Sequence, residues 1–271
     1  MLEYFLTAFV PDEEDKVEMA RAVLQGVCAM SGGHEMKRVL MFQGPDRPDG
    51  FKKIKGLEKT PNGKSFAELQ RYLAKQSFFV RLEYPVTKQQ FGSGLHFLPL
   101  DKESGTLRWT DIPEPVKGED VHICRKTLDI DNQDNLVSIM GQNSHTFKRD
   151  FVEESYIYAL DNVQYRLMRN LIFPGDVTPE DLRRDTLPPL SELQPVVPYW
   201  TLHLKVLVAE PNPDLATQAI NMLTSARQGL GTCFNFKQVD RRFFDSRVSV
   251  NRASNTAPQQ LGKIIPVEKK G

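Results

Sequence analysis

The sequence of this chain predicts a mostly β fold with two flanking helices, an α+β protein built on a single many-stranded antiparallel sheet. Its segments divide into about ten strands against two long helices and one short one, a ratio that favours a closed or nearly closed sheet with the helices packed outside it. Each long helix has one apolar stripe, which is typical of a helix lying on a sheet. At 271 residues with 40% apolar side chains, the chain can bury a sizeable core.

A strand, a helix and a second strand begin the chain. Residues 2–10 are typical of a strand, and the acidic run after Pro11 makes Asp12 a candidate N-cap. The segment "EMKRVLMF" predicts the second strand. The helix between them carries an apolar stripe made of Met19, Ala20, Val23, Leu24, Val27 and Met30.

The same order of elements returns near the other end of the chain. The segment "WTLHLKVLVA" predicts a strand, and Asn212 before Pro213 is a candidate N-cap for a second helix. After that helix, "CFNFKQVDRRF" predicts a strand. The two units could be an internal duplication or a coincidence. The stripe of the second helix consists of Leu215, Ala219, Ile220, Leu223 and Ala226.

Strands and turns dominate the region between the two units. "DNLVSIM" is assigned to this strand-and-turn region, and "HTFKRDFVEESYIYAL" forms a long hairpin with "VQYRLMRNLIF" around a tight turn at Asp161 and Asn162. A short helix is predicted around "FAELQRYLAK". Residues 1–250 are interpreted as one domain with a mobile Gly-, Pro- and Lys-rich loop at about 44–65, a Pro-rich connector at about 173–198 and a flexible tail at 251–271.

Charge and hydropathy exclude several classes of function. The 35 basic and 35 acidic residues cancel, so the chain as a whole has no strong attraction for nucleic acid or for anionic membrane. No stretch approaches 18 consecutive apolar residues, so no membrane span is expected. The first apolar run lacks a basic region before it, which does not fit a signal peptide, and we expect a cytoplasmic or nuclear protein.

No cofactor or metal site can be identified from spacing. The five histidines lie in five separate segments, and the three cysteines form no Cys-x-x-Cys motif. No phosphate-binding glycine fingerprint appears. Lys52, Lys53 and Lys55 could contact nucleic acid, although such a cluster is more often a solvated loop.

The strand "SFFVRLEYPV" carries Arg81 and Glu83 on one face and large apolar side chains on the other. Metal-dependent hydrolysis inside a barrel would need two inward glutamates two residues apart, and no strand has Glu-x-Glu. Instead, Arg81 can neutralise Glu83, and similar mixed pairs occur at Lys148 with Asp150 and at Asp245 with Arg247. We therefore predict no catalytic residue, and the charged face is either solvated or the lining of a polar lumen.

Five segments, taken in order, closely resemble the fungal family of Mediator of RNA polymerase II transcription subunit 18. They are "FFVRLEYPV", "GLHFLPLDKESGTLRWTDIPEP", "DNVQYRL", "WTLHLKVLV" and "FNFKQVDRRFFDSRV". The likeness spans roughly residues 1–250, and "TLRWTDIPEP" and "VDRRFFDSRV" are its most specific parts. The loop at 44–65 and the tail carry no diagnostic residues.

The resemblance implies a β-barrel similar to that of tunnel-type RNA triphosphatases but without their acidic metal-binding strands. It also implies a non-enzymatic, nuclear coactivator subunit of the Mediator head module, which bridges regulators and RNA polymerase II. The implied partners are subunit 20, through a barrel-to-barrel pairing, and a helix from the C-terminal end of subunit 8. The resemblance implies no catalytic residue and no cofactor.

Trp109 and Ile112 in "RWTDIP" are the candidate partner-binding residues, because binding hot spots favour Trp and a turn can present it. Trp109 could equally plug one end of the barrel. Two other functions stay open from the residues alone: a degenerate or active tunnel-type metal-dependent triphosphate hydrolase, and a nucleic-acid binder that acts through the Lys52 loop.

Overall fold

A computed structural model describes residues 1–28, 30–46, 56–96, 99–116, 121–175, 182, 184 and 186–248, without the side chains of 30–32 and 58. The lysine cluster at Lys52, Lys53 and Lys55 and the tail at 251–271 lie outside the described residues. The division of the chain into one domain with a mobile loop, a connector and a tail stays a prediction.

Eight strands close into an antiparallel barrel. Their order around the barrel is β6, β2, β3, β4, β5, β1, β9 and β7, and β7 pairs back onto β6. The two-residue β8 is attached to the side of β7. The closed antiparallel sheet expected from the sequence is thus confirmed. The strands are β1 Leu2–Pro11, β2 Met30–Gln43, β3 Phe79–Val86, β4 Gly105–Thr110, β5 Ile123–Gln133, β6 Thr146–Leu160, β7 Val163–Ile172, β8 Gln194–Pro195 and β9 Tyr199–Val208.

Four helices, α1 Glu14–Val27, α2 Gly63–Leu73, α3 Leu136–Gln142 and α4 Pro213–Leu230, cover the outside of the barrel. Helices α1 and α4 share one apolar core with β1, β7 and β9, and helices α2 and α3 share a second core with β2 to β5. Each helix buries one apolar face against the strands, as an amphipathic helix on a sheet does.

Helix α1 differs from its prediction in two respects. It buries Ala20 and Leu24, whereas Met19 is 61% exposed, so the buried stripe is narrower than the sequence pattern indicated. The residue at the N-cap is Glu13, and Asp12 makes no cap. Instead, the Asp12 carboxylate accepts hydrogen bonds from Arg169 Nη1 at 3.0 Å and Trp200 Nε1 at 2.8 Å.

Helix α4 begins as predicted, because the Asn212 side chain accepts hydrogen bonds from the backbone N–H groups of Asp214 and Leu215. The strand predicted after it does not form. Residues 233–248, which we call the C-terminal strap, make only two isolated bridges, Ala8 with Phe236 and Phe78 with Arg247. The strap includes a short 3₁₀ helix at Arg241–Phe244, which also interrupts the extended backbone that a strand needs.

The assignment of "DNLVSIM" to strand and turn was also wrong, since this segment forms α3. Leu136, Ile139 and Met140 are buried there with helical spacing. The long hairpin was correctly predicted: β6 and β7 pair from Phe151 with Ile172 to Leu160 with Val163. Asp161 turns the chain with a φ of 51°, in the left-handed region that Asp tolerates.

Candidate functional site

The two faces of the barrel wall differ sharply in chemistry. On β3, Val80 and Leu82 belong to the core covered by α2 and α3, while Arg81 and Glu83 point to the opposite face. Because the helices cover the outside, this opposite face is the interior of the barrel. Ten of the charged side chains that the register places on it form ion pairs with one another: Glu3, Lys37, Arg81, Glu83, Arg108, Arg125, Asp129, Glu153, Arg166 and Lys205.

The charged face is therefore a polar lumen, one of the two alternatives that the sequence left open. Glu83, whose side chain is 3% exposed, forms ion pairs with Lys37 at 3.3 Å, Arg81 at 3.2 Å and Arg108 at 3.4 Å. Arg108 also donates to both oxygens of Asp129, at 2.8 and 2.6 Å. Burial opposes ionisation of Glu83, but Arg81 and Arg108 hold its pKa below the usual value.

Glu153 is the most enclosed carboxylate of the lumen, with 1% of its side chain exposed. Its two oxygens accept hydrogen bonds from Arg81 Nη2 on β3 and Arg166 Nη2 on β7, each at 2.7 Å. Burial disfavours the charged form, and the two guanidinium groups outweigh burial, so the pKa of Glu153 is lowered. This contact passes over β2 on the inner wall, because β2 lies between β3 and β6 in the barrel.

Glu3 is the centre of the third charged group. It accepts a hydrogen bond from Arg125 Nε at 2.6 Å, and Lys205 Nζ lies 3.7 Å from its other oxygen. Although burial opposes ionisation, Arg125 and Lys205 hold the pKa of Glu3 at about 2. Each of the four lumen carboxylates is thus ionised and already bound by at least one cation.

This arrangement has no carboxylate free to bind a divalent cation or to accept a proton from a substrate. Within the described part of the chain, no three His, Cys, Asp or Glu side chains come together in a way that could hold a metal ion. Two of the predicted mixed pairs form, Arg81 with Glu83 and Asp245 with Arg247. The third was wrong, because Asp150 binds Arg38 at 2.8 Å and Lys148 is exposed.

The C-terminal strap crosses one end of the barrel from β1 to β3. Lys237 donates its backbone N–H to Thr7, and Val248 donates to the carbonyl of Ser77. The Phe244 ring packs edge-on against Phe5 inside the barrel, with 5.1 Å between the ring centroids. The strap therefore places an aromatic side chain over this end of the lumen.

The two segments that carried the most specific resemblance lie against each other. Ser246 Oγ donates to the carbonyl of Thr110, and Arg241 Nη1 donates to the carbonyl of Pro113 at 3.4 Å. The segment 106–115 and the strap thus meet at the same end of the barrel. Sequence reasoning named both segments but gave no signal that they touch.

The structure removes Trp109 from the candidate partner-binding residues. Its side chain is enclosed, with 1% exposure, between the sheet and α2, where it stacks on Tyr72 with 4.3 Å between centroids and meets Phe78 edge-on. It does not plug a barrel end either, since it faces the outer core. Ile112 lies just beyond β4 and is partly exposed, so its role in binding a partner stays a prediction.

A surface groove lies beside α4, between the end of α1 and the hairpin turn. Its volume is about 630 Å³, and its lining includes Val27, Leu160, Tyr165, Met222 and Ala226. Sequence reasoning did not find it, because its walls come from three elements distant in the chain. Among the described helices, none is long and apolar enough to cross a membrane.

Comparisons with known proteins agree on one family. The family model described as "Med18 protein" matches residues 2–247. Proteins named Mediator of RNA polymerase II transcription subunit 18 from Aspergillus oryzae and Aspergillus niger are similar to the chain, at 22% identity over 273 residues and 23% over 271. Each alignment covers 91% of this chain and 99% of the relative.

A chain in the solved structure of the Schizosaccharomyces pombe Mediator head module has a similar fold. The two superpose with a TM-score of 0.60 at 15% sequence identity, covering 92% of this chain and 100% of that chain. The barrel described above is thus a fold already seen in a Mediator assembly.

Proposed function

Because this chain belongs to the Med18 protein family, we propose that it is a non-enzymatic scaffold subunit of the Mediator head module. In that role it supports transcription regulation as part of a coactivator that bridges regulators and RNA polymerase II. It acts by binding other proteins through the outer surface of a rigid barrel. Because a Mediator subunit acts on transcription, we propose that the chain works in the nucleus.

The observation that best supports a scaffold role is that the lumen carboxylates are occupied by ion pairs within the chain. Glu3, Glu83, Asp129 and Glu153 are each bound by cations of the same chain. A tunnel hydrolase needs an excess of carboxylate around its metal ion, whereas here every lumen carboxylate stabilises the wall of the barrel. The alternative of a tunnel-type triphosphate hydrolase is therefore not favoured.

The specific partners we propose are Mediator subunit 20, through a barrel-to-barrel contact, and the C-terminal helix of subunit 8. A stable contact of this kind buries on the order of 2,000 Å² or more, so it needs a broad outer surface rather than the lumen. No sequence-specific nucleic-acid contact and no membrane contact are part of this function.

Co-expression tests the partners directly. The full chain, subunit 20 and a subunit 8 C-terminal peptide are produced together and separated by size-exclusion chromatography. We expect one stoichiometric complex that survives at high salt, because an interface of this size is mainly apolar. Elution of this chain as a separate peak under all conditions would contradict the proposed pairing.

A hydrolysis assay tests the non-enzymatic part of the proposal. The purified chain is incubated with a nucleoside triphosphate and magnesium or manganese, next to a Glu83→Gln variant. We expect no phosphate release above the buffer control from either protein. Turnover that the Glu83→Gln change abolishes would overturn the scaffold interpretation in favour of a tunnel hydrolase.

A further inference from the structure

Three neighbouring side chains of the lumen have buried polar atoms without a hydrogen-bond partner. They are Thr7 Oγ1, His203 Nε2 and Arg166 Nε. Thr7 is directly opposite His203 across β1 and β9, and His203 is directly opposite Arg166 across β9 and β7. Residues opposite each other on one sheet face have Cβ atoms about 4.5–5.5 Å apart. We call this set the polar row.

The polar row lies on the inner face of the barrel, where His203 is partly buried and its Nε2 atom is enclosed. Thr7 is 1% exposed and Arg166 is 6% exposed. The His203 ring lies 5.6 Å from the Phe5 ring and 6.3 Å from that of Phe244, the strap residue that covers this end of the lumen. Buried polar atoms in folded proteins nearly always have a partner, so a partner from outside the chain is expected here.

The charged side chains around the polar row indicate the charge of the missing hydrogen-bond partner. Among the described residues, the ion pairs of the lumen join six cationic side chains to four carboxylates, and Glu35 and Asp131, the other carboxylates on this face, are exposed. Lys205, two residues beyond His203 on the same face, has its nearest carboxylate oxygen at 3.7 Å, longer than a hydrogen bond. Burial, together with Arg108 and Arg166, lowers the pKa of Lys205 against the opposing effect of Glu3.

A cation would be repelled at this position, and a water molecule would leave the excess positive charge in place. An anion supplies acceptors for the guanidinium, hydroxyl and ammonium donors and also offsets the charge. We propose that the polar row of Thr7, His203 and Arg166, with Lys205, is a binding site for a small tetrahedral oxyanion of the phosphate or sulfate type. The site is independent of the scaffold role, which uses the outer surface.

Isothermal titration calorimetry with inorganic phosphate tests the site. The full chain is titrated at pH 7 and constant ionic strength, in parallel with Thr7→Val, Thr7→Ser and Arg242→Gln variants. Thr7→Val removes the hydroxyl at nearly unchanged volume, Thr7→Ser keeps it, and Arg242 is an exposed cation of the strap, at 80% exposure, that is paired with Asp240. The His203 imidazole signals are followed by NMR in the same samples.

We expect saturable binding of one phosphate, weakened about tenfold or more by Thr7→Val because a hydrogen bond to a charged group is lost. Thr7→Ser and Arg242→Gln should bind like the wild type, and phosphate should move the His203 signals. Absence of saturable binding would overturn the proposal and leave water as the partner. Equal affinity in all four proteins, with unmoved His203 signals, would assign the phosphate to the exterior and also overturn it.

Discussion

Glu153 and Arg166 form a hydrogen-bonded ion pair at 2.7 Å in which both side chains are almost fully enclosed, at 1% and 7% exposure. The second oxygen of Glu153 accepts a hydrogen bond from Arg81 on β3, with β2 between the two strands. One carboxylate therefore connects β3, β6 and β7 through the interior of the barrel. The ion pairs of the lumen thus hold the strands together from the inside, while the apolar cores under the helices hold them from the outside.

Replacement of Glu153 by Gln tests how much this contact stabilises the barrel. The change leaves the buried guanidinium of Arg166 and the partly buried one of Arg81 facing a neutral amide, so we expect the free energy of unfolding to fall by about 3 kcal/mol. Urea denaturation monitored by circular dichroism measures it. Glu18→Gln on the exposed face of α1 is the matched control and should change stability by about 0.5 kcal/mol or less. Equal stability of the two variants would contradict a structural role for Glu153.

Acid should destabilise the chain through Glu3. Its pKa is about 2 in the folded protein, below the ordinary value of 4.5. Burial alone would raise the pKa, but the positive charges of Arg125 and Lys205 lower it by more. A lowered pKa stabilises the fold above the unfolded value, and that stabilisation disappears as the pH falls from about 4.5 to about 2. The loss is on the order of 3 kcal/mol. Urea midpoints measured over this pH range should fall steeply for the wild type and more gently for Glu3→Gln.

His203 should act in a different pH window. Burial first, and then the charge of Arg125, lower its pKa to about 4, with Lys205 and Arg166 in the same direction and Glu3 opposing. The imidazole is therefore protonated near pH 6.5 in the unfolded chain but only near pH 4 in the folded chain. The free energy of unfolding consequently falls as the pH is lowered from about 6.5 to about 4. NMR titration of the imidazole gives the folded pKa directly. A His203→Asn variant should show a flatter stability profile over the same window, and an unchanged slope would contradict this assignment.

The sequence predicted the parts of the fold that depend on local patterns. Alternation along "SFFVRLEYPV" correctly separated the apolar face of β3 from the face of Arg81 and Glu83. The cap at Asn212 was also predicted correctly, because its side chain accepts hydrogen bonds from residues that follow it directly in the sequence. The turn at Asp161 was predicted correctly because it depends only on the local backbone conformation. In "DNLVSIM", Leu136, Ile139 and Met140 have helical spacing, but periodicity alone does not distinguish a helix from a strand in so short an apolar run.

The remaining features depend on contacts between distant parts of the chain. Asp12 has cap chemistry, yet its partners Arg169 and Trp200 are 157 and 188 residues away. Alternating phenylalanines in the strap imitate a strand, but the strap makes only a single bridge with β1, at Ala8, before it continues towards β3. The polar row could not be predicted, because its members meet only when β1, β7 and β9 pair.

Trp109 should be a core residue rather than a binding residue. Truncation to Ala removes the stacking on Tyr72 and leaves a cavity under α2, which costs about 3–5 kcal/mol. Trp109→Phe keeps an aromatic ring beside Phe78 and should cost less. Urea denaturation of the isolated chain measures both losses. Affinity of Trp109→Phe for the co-expressed partners should equal that of the wild type, and a selective loss of affinity at unchanged stability would restore Trp109 as an anchor.

Ile112 is the opposite case, and it offers the sharper test of the segment 106–115. Its side chain is partly exposed where the chain leaves β4, so Ile112→Ser should change the stability of the isolated chain by about 1 kcal/mol or less. If Ile112 is a partner-binding hot spot, the same change should weaken the complex with subunit 20 or with the subunit 8 peptide by about 2 kcal/mol, roughly 30-fold. Leu95→Ser is the matched control, because Leu95 is 58% exposed and lies outside the segment. Biolayer interferometry with each partner in turn separates the two contacts. Wild-type affinity of Ile112→Ser for both partners would remove Ile112 from the interface.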